Sequence, residues 1–275
     1  REDLIAFNQK YFAPNNFYLG IVGDISLEEA RASIEKAFKG WVKKKVTLPV
    51  IPKLTEKADG TIYYAYKDTP QGNVFMGHLG ITQLNPDEFK IEVMNDILGG
   101  GGFTARLMKE LRSNRGLTYG IYGGVYEGTG KDRGPFQIGS QLKANKFVEA
   151  LEVIRGIIKD MQTNPVSDEE IATAKNSLVN GFVFRFEQKS QILSQFMSLK
   201  LNGYPDNYLD TYIDNIRKVT KANIQEVAKK YMSPETMIFV IVGDEKKFDK
   251  PLSTFGKVKV LDLNKIIAEE RGEQK

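Results

Sequence analysis

The sequence predicts an α+β fold: an antiparallel-leaning sheet with helices packed mostly on one face, as one complete copy of a duplicated domain plus a truncated copy. Two observations carry the prediction. Stretches rich in Val, Ile, Phe and Tyr come first, a run of amphipathic helices follows, and a last strand closes the unit. A fourteen-residue segment also occurs twice. Tyr11–Asp24, YFAPNNFYLGIVGD, aligns without gaps on Tyr231–Asp244, YMSPETMIFVIVGD, 220 residues later, with Tyr, Pro, Ile, Val, Gly and Asp shared. Average composition gives roughly one identity over such a length. Both copies follow a helix with the same apolar spacing, Leu4, Phe7 and Tyr11 against Ile224, Val227 and Tyr231. Each copy therefore predicts a helix, a proline turn, a buried strand and a Gly-Asp turn.

The second copy closes a unit that begins near Thr61 and ends near Leu263, whereas ten residues precede the first copy. The expected organisation is a remnant of a first domain over 1–46, a linker over 47–60, a complete second domain over 61–263 and a polar tail over 264–275. In the remnant, Ser26 and Glu29 form a capping box for a helix through about Lys39 that places Leu27, Ala30, Ile34 and Phe38 on one face. In the complete domain, Ile62–Lys67 and Asn73–Ile81 read as strands. Asn85 caps a helix with Pro86 at its first position and Glu88 completing the box, and Gly99 to Gly102 stop that helix after Leu98. A helix over Thr104–Arg112, strands over Leu117–Glu127 and Pro135–Lys143, and a long helix over Phe147–Gln162 follow. Ser167 and Glu170 cap the next helix, and three more cover about Gln191–Leu201, Tyr208–Lys218 and Lys221–Met232.

With 41% hydrophobic and 27% charged residues among 275, the chain is an ordinary globular one. Its net charge of +4 is scattered, and the short run Lys43, Lys44, Lys45 reads as a solvated face and not a nucleic-acid footprint. The absence of cysteine excludes disulfides, thiolate nucleophiles and Cys-based zinc sites. No signal peptide is visible and no apolar stretch reaches membrane-spanning length, and a cysteine-free chain suits both bacterial periplasm and cytoplasm, so the compartment stays open. His78 is the single histidine and alternates with Val74 and Met76 on a strand, so it reads as a packed structural residue. A zinc site needs several convergent ligands, and none is credible here. The glycine run follows a helix where a dinucleotide fingerprint follows a strand, and no Gly-Lys-Ser/Thr succeeds it. A hinge, or a tight pass of backbone beneath a neighbour, fits it better than nucleotide binding.

The informative segment is Leu107–Tyr119, LMKELRSNRGLTY. Arg112 falls in the last turn of an amphipathic helix and Tyr119 opens a strand after Gly116. Spacing alone leaves two readings: a functional pair, or an arginine complementing the helix dipole beside a half-buried strand tyrosine.

The run GGGGFTARLMKELRSNRGLTYGIYGGV resembles the second-domain signature of the pitrilysin, insulysin and mitochondrial processing peptidase family of inverted-motif zinc peptidases. The helix–YFAPNN–strand–GD segment resembles the end of that family's first domain, and the likeness extends from Arg1 to about Asp262. The resemblance implies zinc ligands and a catalytic glutamate in a His-x-x-Glu-His motif of the first domain, and that motif does not occur here. It implies that Arg112 and Tyr119 are the catalytic and substrate-binding pair that reaches across to a zinc-bound substrate, with no metal or other cofactor in this chain. The expected partners are a peptide or unfolded polypeptide and a zinc-bearing domain or subunit of the same family, in a homo- or hetero-oligomer, with no nucleic acid. The alternative is a non-catalytic peptide-binding or scaffolding subunit.

Overall fold

The computed structural model describes residues 1–52, 57–129 and 132–270. In chain order the main elements are α1 (Glu2–Tyr11), α2 (Leu27–Ala37), β1 (Ile62–Tyr66), β2 (Gln71–Leu79), α3 (Glu88–Asn95), α4 (Arg106–Met108), β3 (Thr118–Val125), β4 (Pro135–Lys143), α5 (Phe147–Thr163), α6 (Asp168–Phe182), α7 (Lys189–Leu201), α8 (Tyr208–Lys218), α9 (Lys221–Tyr231), β5 (Ile238–Gly243), β6 (Val258–Leu261) and α10 (Leu263–Glu270). They divide into two compact units, one from residues 1–56 with 182–208, the other from 57–181 with 209–275. Part of the expected linker, residues 53–56, lies outside the described residues, as do 271–275 of the expected tail and the Gly130–Lys131 pair.

The first unit contains α1, α2 and α7. Ser26 and Glu29 make the expected capping box at α2. Helix, cap and turn coincide between the two sequence copies. Phe12 N–H donates to Asn8 O at 3.0 Å and Asn16 N–H to Ala13 O at 2.9 Å, while Met232 N–H donates to Ala228 O at 3.2 Å and Thr236 N–H to Ser233 O at 3.1 Å. The strands differ. In the second copy β5 lies inside the sheet, whereas the strand expected over 17–22 is extended chain without a ladder partner among the described residues. A lone strand has nothing to satisfy its backbone. Its side chains Phe17, Leu19 and Ile21 are exposed accordingly. The backbone at Gly20 runs close under α7: a β-carbon there would lie 2.5 Å from Met197 Sδ. Leu19, Ile21, Val22, Ala30 and Ile34 line an apolar groove of about 680 Å³.

The second unit is built on a six-stranded sheet of order β3-β4-β2-β5-β1-β6. The β3–β4, β4–β2 and β2–β5 pairs are antiparallel, and β5–β1 and β1–β6 are parallel. The fold is thus α+β with a mostly antiparallel sheet. Alternation along the strands buries Ile62, Val74, Met76, Phe136, Ile138, Phe239 and Ile241 on one face. The long apolar stripe of α5, with Leu151, Ile154 and Ile158 all buried, and Ile224 and Val227 of α9 complete that core. Phe75, Tyr122 and Val240 alternate with core residues and stay exposed on the opposite face.

Local structure departs from expectation at three places. The glycine run does not stop α3: Asp96–Gly100 continues it as a π-helical turn. The helix expected over Thr104–Arg112 is a composite, with α4 passing into a second π-helical stretch, Lys109–Asn114. Both wide turns relax the backbone where the chain must fit against β3. The short β6 and α10 were not anticipated. A four-residue edge strand with alternating lysines gives little periodic signal.

Candidate functional site

Arg112 follows Leu107, Met108 and Leu111, three fully packed residues that fix the helical stretch against the core. The chain leaves this stretch through a tight closure. Gly116 N–H donates to Arg112 O at 3.1 Å and Leu117 N–H to Leu111 O at 2.7 Å, with Gly116 at φ +59°, a conformation that favours glycine. Two residues later β3 begins with a bulge. Thr118 pairs with Leu142 and Ile121 with Ser140, so Tyr119 and Gly120 both oppose Gln141. The extra residue keeps Tyr119 on the open face with Tyr122, where regular alternation over three residues would separate them. The half-buried hydroxyls of Thr118 and Ser140 hold the bulge: their oxygens lie 2.9 Å apart, Ser140 Oγ donates to Gly120 O at 2.9 Å, and Gly120 N–H donates to Thr118 Oγ1 at 3.1 Å.

This geometry brings Arg112 and Tyr119 together. The Arg112 guanidinium carbon lies 4.5 Å from the centroid of the Tyr119 ring and 4.6 Å from that of Phe103. The cation therefore lies against two aromatic rings, and its N–H edges make no hydrogen bond or ion pair within the described residues. Tyr119 is 82% exposed and Phe103 63% exposed. Such an arrangement can offer a planar fork of donors to a carbonyl or carboxylate, with a phenolic hydroxyl beside it.

Phe103 was not singled out in the sequence. The available signal is its place at the end of the glycine run, where a large exposed aromatic follows four residues without side chains. The run itself is a close pass. A β-carbon on Gly99 would sit 2.6 Å from Gly123 O and 2.8 Å from Gly123 N, so the π-helical turn presses directly on β3. Asn95 secures the same contact, donating to Val125 O at 2.7 Å and accepting from Val125 N–H at 2.8 Å. The loop that carries Phe103 is thereby tied to the strand that carries Tyr119.

His78 is structural. Its Nε2 accepts from Ser233 N–H at 2.9 Å, which leaves Nδ1 as the donor to Leu79 O at 2.9 Å. Burial lowers its pKa, with the Arg133 charge acting in the same direction. With both ring nitrogens engaged and no group of three or more His, Asp or Glu placed to hold a metal among the described residues, the side chains present do not fit a zinc site. A carboxylate with a raised pKa lies elsewhere, on α3. Burial, with Glu127 and Glu92 adding repulsion, pushes Glu88 up to about 7, and its Oε2 is buried without a hydrogen-bond partner among the described residues.

Residues 1–178 match the family model described as the peptidase M16 inactive domain. The chain belongs to that family. Among relatives, the M16 inactive domain resembles an uncharacterized zinc protease of Streptomyces coelicolor, 24% identical over 86% of this chain and 52% of that protein. It also resembles a non-peptidase homologue of Helicobacter pylori, 25% identical over 90% of this chain and 56% of that protein. The chain thus spans about half the length of these curated relatives. A peptidase M16 inactive domain from Pseudomonas fluorescens superposes with a TM-score of 0.78 at 26% identity, covering 88% of this chain and 57% of that one. A Helicobacter pylori protease structure superposes at 0.74 and 17% identity, a likeness of fold. No helix among the described residues is long and apolar enough to cross a membrane.

Proposed function

We propose that this M16 inactive domain supplies the substrate-positioning side of a peptidase site whose zinc-bearing side lies in another domain, in the parent chain or in a partner subunit. The carrying observation is the Arg112 guanidinium, lying against the Phe103 and Tyr119 rings with no N–H bonded to a protein acceptor among the described residues. In this reading Arg112 grips a peptide carbonyl or carboxylate through its fork. The Tyr119 hydroxyl donates to the oxygen on which charge develops as the peptide bond is attacked. Residues 1–46 belong to the domain that completes the site, consistent with the shared helix, cap and turn of the two sequence copies. Opening and closing of the two halves around a peptide would then assemble the site.

The test uses the full-length protein and a quenched fluorescent peptide. Arg112→Ala raises KM by about 10-fold or more, the loss of a charge-assisted contact, and Arg112→Lys restores little because a point charge cannot reproduce the fork. Unchanged KM and kcat in Arg112→Ala refute the proposal. A second reading, a non-catalytic peptide-binding or scaffolding subunit, is favoured by the name of the Helicobacter pylori relative. Under it, Arg112→Ala weakens peptide capture in a protein that shows no turnover.

A further inference from the structure

We infer that the open face of the second unit's sheet is a selection surface for an aromatic or large aliphatic side chain of the peptide held at Arg112, with Phe75 and Tyr122 as its specificity-determining residues. The inference rests on the peptide reading above and adds a side-chain preference to it. One register row runs across the sheet from Tyr122 on β3 through Gly139 on β4 and Phe75 on β2 to Val240 on β5. Phe75 is 64% exposed, Tyr122 58% and Val240 46%, a degree of exposure that buried apolar rows elsewhere in the same strands do not share. Between the two rings Gly139 contributes no side chain, and the Phe75 ring leans over it: a β-carbon there would lie 2.7 Å from Phe75 Cε1.

The rows on either side carry carboxamides on β2 and β4 and end on the aliphatic Val242 and Ile238 of β5. Asn73 and Gln141 face each other in one, and Gln137 opposes Gly77 in the other. None of these three carboxamides has a side-chain hydrogen bond within the described residues. Aromatic rings flanked by unpaired amides suit a peptide, whose side chain takes the apolar row and whose main chain takes the amides. An obligate protein interface is more uniformly apolar at its core. Lys143, opposite Gln71, and Lys259, over the Tyr63 ring, lie at the margins of this face, and Arg112 beside Tyr119 supplies a further cation at the β3 end. Tyr122 lies three residues along the strand from Tyr119, about 10 Å, which an extended peptide covers in about three residues. The selected side chain therefore falls within about three residues of the group that Arg112 holds.

The experiment measures fluorescence anisotropy on the chain itself with two fluorescein-labelled nonapeptides that differ at one position, Phe or Ser three residues from the C-terminal carboxylate. The Phe peptide is expected to bind at least about 10-fold more tightly. Phe75→Ser and Tyr122→Ser each cut that ratio, and together they bring it near one, while the Ser peptide keeps its affinity. Both side chains are exposed, so melting temperature stays unchanged. A ratio near one in the parent chain, or one that survives both substitutions, overturns the inference; if Arg112→Ala still weakens both peptides, the peptide reading stands without it. No binding of either peptide at millimolar concentration defeats both. A parent chain that sediments as a dimer and dissociates on Phe75→Ser assigns the face to a second copy instead.

Discussion

Replacing Phe103 by Leu tests whether the aromatic pair, and not the arginine alone, makes the site. The Arg112 guanidinium carbon lies 4.6 Å from the centroid of the Phe103 ring and 4.5 Å from that of Tyr119. Both rings are mostly exposed, so each cation–π contact falls in the range of about 0.5–1 kcal/mol found at exposed sites. Losing one leaves a single ring to hold the guanidinium. The cost to peptide affinity should be of the same size, about a 2- to 5-fold rise in Kd. Because the side chain is 63% exposed, global stability should change by less than about 0.5 kcal/mol. Two measurements on one sample decide the matter. The Arg112 Nε–Hε NMR resonance, shifted by ring currents from two aromatic rings in the parent, should move on Phe103→Leu. Peptide affinity should fall as stated while the melting temperature holds. An unmoved resonance would show that the Phe103 contact does not exist in solution, and a large loss of stability would make Phe103 a packing residue.

Three further predictions concern the scaffold. Gly99→Ala, a substitution that favours a helix interior by up to about 1 kcal/mol, should here destabilise by about 1–3 kcal/mol, because the new β-carbon would meet Gly123 O at 2.6 Å; urea denaturation decides the sign. Asp87 is buried and bonded to Lys90 at 2.7 Å, Lys230 at 2.8 Å and the Tyr231 hydroxyl at 2.9 Å. These donors outweigh burial and hold its carboxyl well below the usual range. Its contribution is therefore full above about pH 3.9 and is lost as pH falls further, so Asp87→Asn should cost about 1–2 kcal/mol at pH 7 and less in acid. Glu88 behaves oppositely. Its carboxyl is raised to about 7, so the folded state holds the proton more tightly than the unfolded one and stability declines as pH rises from about 4.5 to about 7. Glu88→Gln should flatten that decline in thermal melts, and an unchanged pH profile would contradict the assignment.

Much of the second unit was legible because its elements announce themselves locally. β4 spans Pro135–Lys143 as expected, and α5 and α8 fall within a residue of their expected ends, each with a clear apolar stripe. The wide turn Asp96–Gly100 was not legible, since it packs through Gly99 against Gly123, a contact the local sequence pattern does not show. The strand expected over 17–22 has the right residues but no ladder partner among the described residues, and pairing is a property of neighbours that sequence pattern cannot supply. At the site, the spacing of Arg112 and Tyr119 drew notice through family resemblance, while their stacking depends on a bulge at Thr118–Ile121 held by Ser140 from another strand. Phe103 joined them only in space.

The most direct test of the proposed role is Tyr119→Phe in the full-length protein assembled with the proposed zinc-bearing domain, with kcat, KM and melting temperature measured together. Tyr119 is 82% exposed and packs on Arg112 through its ring, which phenylalanine retains. The account predicts an unchanged melting temperature, a KM within about 3-fold of the parent and a kcat lower by about 10²–10³, the loss of one hydrogen bond made to the transition state. A Tyr119→Phe protein that is destabilised yet turns over at the parent rate per folded molecule would contradict it.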